Sequence, residues 1–177
     1  MKRYGLRSKN ISKVDLKKTY MQYFPDMEEI LRNSDGVIDR SMLNSPHYEF
    51  ASLYYSRGLK WMEENYENTK YHIASCIVNG KKYLSMRKIH LLDSIKEGYL
   101  RNGYNNNYIV LLDIPLVVSR YNVKNISIKS PEVFMGHHRI GALLALGIDR
   151  VRVILAEDEM PGTNQCYGKV HERYKSL

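Results

Sequence analysis

A chain of 177 residues with 44% hydrophobic side chains is long enough for one domain with a proper core. No apolar run reaches membrane-spanning length and the start, MKRYGLRSKN, has no apolar leader segment, so a cytoplasmic protein is expected. Its two cysteines, Cys76 and Cys166, form no CxxC pair, which argues against a disulfide scaffold or a cysteine-based zinc site. The net charge of +8 is unevenly spread, with +6 over residues 1–20, −4 over 21–80 and +6 over 81–177. Such asymmetry suits a phosphate-rich partner, and the basic arm (Lys2, Arg3, Arg7, Lys9) reads either as a nucleic-acid contact or as solvated surface.

In chain order, Ser12 with Asp15 three residues on has the pattern of a capping box. Leu16, Tyr20, Tyr23 and Phe24 then share one helical face, and Pro25 stops the helix; the aromatic stripe reads as packing. After a polar stretch at 33–36, Ser45-Pro46 supplies a serine N-cap and a proline at the first helical position. Phe50, Leu53, Tyr54 and Trp61 continue that helix to about Asn65. His47, Tyr48 and Glu49 in its first turn read as capped surface, with a pocket wall as the alternative. Residues 71–78 predict a strand, Asn79-Gly80 a hairpin turn and 81–86 the returning strand. Residues 88–97 predict a helix with Gly98 as its C-cap, and the run YIVLLD a buried strand ending near Asp113, before Pro115.

The segment 130–157 predicts strand, glycine turn, short helix and strand. Glu132, Val133, Phe134 and Met135 stop at Gly136, while Ile140, Leu143, Leu144 and Leu146 fall at helical spacing before Gly147. Val151, Val153 and Leu155 then alternate with Arg152 and Ile154, as in a half-buried strand. Gly136, His137, His138 and Arg139 are thereby placed at a helix N-terminus, where amides without intrahelical acceptors and the helix dipole favour an anion. Adjacent helical positions diverge, so one imidazole is expected to face the ligand together with Arg139. The two histidines lack the i, i+4 spacing of a zinc pair, and His47, His72, His90 and His171 are scattered, so no metal site is expected.

The stretches LLDSIKEGYL, YIVLLD and VFMGHHRIGALLALGIDRVRVIL together resemble the ParB/sulfiredoxin-like superfamily. The resemblance implies an α/β (α+β) domain, a mixed sheet with helices, over residues 88–160. An N-terminal helical and hairpin extension (1–87) would precede it and a basic tail (161–177) follow it. It also implies a nucleotide triphosphate with Mg²⁺, or another phosphorylated ligand, at Gly136, His137, His138 and Arg139, with Ser94 and Glu132 in support. A nucleotide-dependent phosphotransferase acting on a small molecule or modified nucleic acid would follow from this.

Three departures narrow that expectation. His137 stands where sulfiredoxin-like members carry the catalytic cysteine, which disfavours sulfinic acid reduction. Met135 stands where kinase-like members carry aspartate; Asp93, Glu97 or Glu132 would have to replace it, and the catalytic residues stay unassigned. About twenty residues after the last strand are too few for the helix-turn-helix domain of partition proteins. The alternative is a DNA-binding module or a ParB-like nuclease without that domain.

Overall fold

The computed structural model describes residues 9–21, 25–102, 109–112 and 131–156. Strands β1 (Lys9–Asp15), β2 (Val110–Leu112), β3 (Glu132–Met135) and β4 (Arg150–Ala156) form one sheet in the order β1-β4-β2-β3. β4 runs antiparallel to β1 and parallel to β2, and β2 is antiparallel to β3. The helices are α1 (Glu28–Leu31), α2 (Pro46–Asn65), α3 (Lys70–Asn79), α4 (Met86–Asn102) and α5 (His137–Ala145). This is a mixed α+β arrangement. Among the described residues no helix is long and apolar enough to cross a membrane.

The helix expected after Ser12 is not formed. Residues 9–15 are instead a strand in continuous register with β4, from Lys9 opposite Ala156 to Asp15 opposite Arg150. The capping signal has a local use all the same. Asp15 Oδ1 accepts the Lys17 N–H at 3.0 Å and caps a single 3-10 turn, Leu16–Lys18. Pairing along seven residues outweighs a local helix signal. Of the expected aromatic stripe, Leu16 is buried and Tyr20 bridges to Ser41 and Glu132; Tyr23 and Phe24 lie outside the described residues.

α2 begins as its sequence indicates. Ser45 Oγ accepts the Tyr48 N–H at 3.0 Å, with Pro46 in the first turn. The helix kinks at Gly58 (φ 83°) and continues to Asn65.

The strand expected over 71–78 is helix α3, and the hairpin with it is absent. Thr69 Oγ1 caps the helix by accepting the His72 N–H at 3.1 Å. Gly80 ends it in the left-handed region (φ 64°), its N–H reaching the Cys76 carbonyl at 3.0 Å. Asn-Gly provides a positive φ for a hairpin turn and for a helix C-cap alike, so the dipeptide does not distinguish them. Residues 81–85 lead without a strand into α4, which runs through Gly98 to Asn102 instead of ending there.

The chain crosses the division expected at residue 88. β1 belongs to the same sheet as β2–β4, and α2 packs chiefly on α5. One core joins Leu16, Met42 and Phe50 from before that point with Leu111, Val133, Ile140, Leu143 and Val153 from after it. α5 ends as predicted. The Ile148 N–H reaches the Leu143 carbonyl (2.9 Å) and the Gly147 N–H the Leu144 carbonyl (3.0 Å), the two bonds of a Schellman cap. β4 then buries Val151 and Val153 while Arg152 stays exposed. Residues 161–177 lie outside the described residues.

Candidate functional site

The turn between β3 and α5 is made by Gly136, whose φ of 101° lies in the left-handed region that glycine occupies without a Cβ clash. The Ile140 N–H closes the first helical turn on the Gly136 carbonyl at 2.9 Å. His137 and His138 follow as the first helical residues, and both line a cavity of about 430 Å³. The opposite walls come from elsewhere in the chain. α2 supplies His47, α3 supplies Tyr71 and Ser75, the approach to α4 supplies Lys81, Tyr83 and Ser85, and α4 itself supplies Lys88.

The expectation of one imidazole beside Arg139 is therefore revised. Both imidazoles line the cavity, while Arg139 is half-buried and is not among its lining residues. The cavity meets the end of α5, where first-turn side chains fan outward, and does not run along one helical face. Ser94 is exposed on α4 and does not line the cavity. Glu132 does not line it either; its carboxylate is fully buried and pairs with Arg40 at 3.2 Å.

Three residues reach this cavity from parts of the chain whose local patterns do not point to it. His47 was open to two readings, as surface or as pocket wall, and it takes the second. Its ring lies 5.2 Å from that of His137 and 4.6 Å from that of His138, centroid to centroid. Tyr71, expected on a strand, stacks on Phe50 at 4.4 Å and places its Oη 2.6 Å from His138 Nε2. Lys88 stands in the first turn of α4, where the sequence marks only a helix start. No spacing rule links positions 47, 71, 88 and 137, because only the packing of four separate helices brings them together.

Burial and charge act together on these groups. Burial, reinforced by Lys88, His137 and Arg139, pushes the His138 imidazole down to about 3. Burial likewise holds His47 well below the usual imidazole range, with His138, His137 and Lys88 adding to it. Lys88 is lowered by burial first, then by Arg87, Lys81 and Arg139. The Tyr71 phenol is pushed up by burial and by Tyr66, so it stays protonated at neutral pH. Among the described residues, the neighbouring groups that act on His47, Lys88 and His138 all lower their pKa values, and the described lining residues include no Asp or Glu.

A neutral, buried His138 makes stability pH-dependent with a definite sign. The unfolded chain binds the proton near pH 6.5 and the folded chain only near 3, so this contribution is complete above 6.5 and is lost as pH falls toward 3. Between pH 7 and pH 5 the loss is expected to be about 1–2 kcal/mol from this side chain. Chemical denaturation at the two pH values, in parent and His138→Gln, measures it. The parent should lose more stability on acidification than the variant.

A protein-held Mg²⁺ does not fit the donors present. The described cavity residues offer imidazoles, amines, hydroxyls and one amide, whereas Mg²⁺ selects carboxylates and water. Among the described residues no group of three or more His, Cys, Asp or Glu is arranged to hold a metal ion. Lys81, Lys88 and the first two residues of α5 line the same cavity. Compared with protein-family models, curated proteins and solved structures, the chain matches none.

Proposed function

We propose that this chain is a ParB/sulfiredoxin-like domain protein that binds a nucleotide or another phosphorylated ligand in the cavity at the GHHR turn. One observation carries the reading: the cavity gathers Lys81, Lys88, His47, His137 and His138 with no carboxylate among its described lining residues. A cluster of cationic and imidazole donors at one cavity attracts an anion. The first turn of α5 adds its dipole on the same side. Tyr66, Tyr71 and Tyr83, with Met21, Met27 and Val78, give the cavity an aromatic and apolar part suited to a planar body attached to the phosphate. Lys88 would neutralise phosphate charge and an imidazole N–H would donate to a phosphate oxygen, while helix amides position the others. The phosphotransferase reading extends this proposal: it needs a group that activates an acceptor, and the neutral His138 hydrogen-bonded to Tyr71 is the nearest to one.

A thermal-shift series with ATP, CTP, GTP and inorganic pyrophosphate, each with Mg²⁺, tests the proposal. Saturable stabilisation by at least one of them is expected, of about 2.7 kcal/mol at a hundredfold excess over Kd. Lys88→Met should weaken that ligand by about tenfold or more, through loss of a charge-assisted contact. The alternative reading, nucleic-acid binding through the basic arm, concerns Lys2, Arg3 and Arg7, which lie outside the described residues, and Lys9, which opens β1. It predicts DNA affinity that falls steeply between two salt concentrations. DNA binding of that kind without any nucleotide shift would overturn the proposal.

A further inference from the structure

The Cys76 thiol is one member of a chain of three groups, two on α3 and one in the turn before it. His72 lies one helical turn before it, with Cys76 Sγ 3.4 Å from His72 Nε2. The other ring nitrogen, Nδ1, lies 3.1 Å from the Glu67 carbonyl oxygen. A carbonyl oxygen only accepts, so Nδ1 carries the proton and Nε2 presents its lone pair to the thiol. The Tyr66 ring packs edge-on against the imidazole at 5.1 Å and helps to hold its plane. The Lys81 carbonyl, 3.5 Å from Sγ, is a second and longer acceptor for the S–H. Cys76 is a free thiol and is partly exposed, so a small reagent can reach it. Nucleophile, base and orienting acceptor thus stand in series, the arrangement by which proteins activate thiols.

We infer that Cys76 is a base-assisted thiol that takes up low-molecular-weight disulfides as a mixed disulfide on α3. Sγ attacks one sulfur of the small disulfide, so a new S–S bond forms as the old one breaks. The Sγ proton passes to His72 Nε2 and from there to the departing thiolate. One disulfide is consumed and one is made, so no further oxidant takes part. The inference is independent of the phosphate reading, although α3 also contributes Tyr71, Ala74, Ser75 and Val78 to the cavity.

The test uses the full chain with Cys166→Ser, so that Cys76 alone reports, and oxidised glutathione as probe, followed by intact mass. The folded protein is expected to react about tenfold or more faster than the same chain unfolded in guanidinium chloride. His72→Gln should remove that advantage. Glutamine at the third helical position suits a capped N-terminus, so α3 should persist. The pH profile of the parent should carry the loss of an imidazole proton, which is absent from the variant. Equal rates for folded and unfolded parent would overturn the inference, whatever the stability of the variant. An unchanged rate and pH profile in a folded His72→Gln would overturn it as well.

Discussion

Glu132→Ala is expected to destabilise the protein by about 3–5 kcal/mol, the cost of leaving a buried charge without its partner. The Glu132 carboxylate is 0% exposed and the Arg40 side chain 6%, and they meet at 3.2 Å. Around this pair, three segments distant in sequence are laced by their backbones. The Tyr20 N–H reaches Pro131 (3.1 Å), the Val133 N–H reaches Tyr20 (2.8 Å), and the Met21 N–H reaches Arg40 (2.7 Å). Removing the carboxylate leaves a guanidinium in the seam where β3, the segment after β1 and the approach to α2 join. The double variant Arg40→Met with Glu132→Leu removes both charges at similar volume and should recover most of the loss. Urea denaturation of the three proteins decides the matter. A Glu132→Ala protein of parental stability that had lost ligand binding would return Glu132 to the proposed phosphate site.

That residue illustrates how far the sequence reaches. Glu132 stands four positions before a turn with the features of an anion site, and from proximity alone it reads as a supporting group. Its partner Arg40 is 92 positions away, and no local pattern signals the pair. The segment 130–157 was legible because all of its signals are local: a glycine turn, helical spacing, a glycine cap and strand alternation agree with one another. β1 and α3 were not, for a common reason. Ser12 to Asp15 does carry a cap, and Gly80 after Asn79 does adopt positive φ, but each signal fits two structures and long-range packing chooses between them. For β1 the choice is made by pairing with β4, and for α3 by packing against α2 and the cavity wall.

The site divides in the same way. His137 and His138 were found from the turn that holds them. His47 had a pocket wall only as its alternative, and Tyr71 and Lys88 carried no such signal, since all three arrive on α2, α3 and α4 and meet only in three dimensions. Composition gave one indirect sign, the excess of basic over acidic residues after position 80. Which of those charges converge was invisible until the helices were placed. Arg139, the strongest phosphate ligand by residue type, lies one position too far along α5 to line the cavity.

Gly141→Ala is expected to cost about 1–3 kcal/mol, although alanine is the better helix former. Gly141 is in the middle of α5, where a Cβ would stand 2.7 Å from the backbone carbon and oxygen of His47 and 3.0 Å from the Tyr48 nitrogen. Those atoms belong to the first turn of α2, held by the Ser45 cap, and cannot swing aside as a side chain tip would. The missing side chain is what allows α2 and α5 to approach closely enough for His47 to reach His137 and His138. Forcing the helices apart should therefore weaken ligand binding along with stability. Gly98→Ala supplies the contrast. Gly98 lies within α4, and a Cβ there would meet nothing within 4 Å, so alanine should stabilise by about 0.4–1 kcal/mol. Opposite signs for one chemical change, read by urea denaturation of the two variants, would establish that the α2–α5 approach holds the histidine cluster together. A neutral or stabilising Gly141→Ala with ligand affinity intact would show that the cluster forms without it.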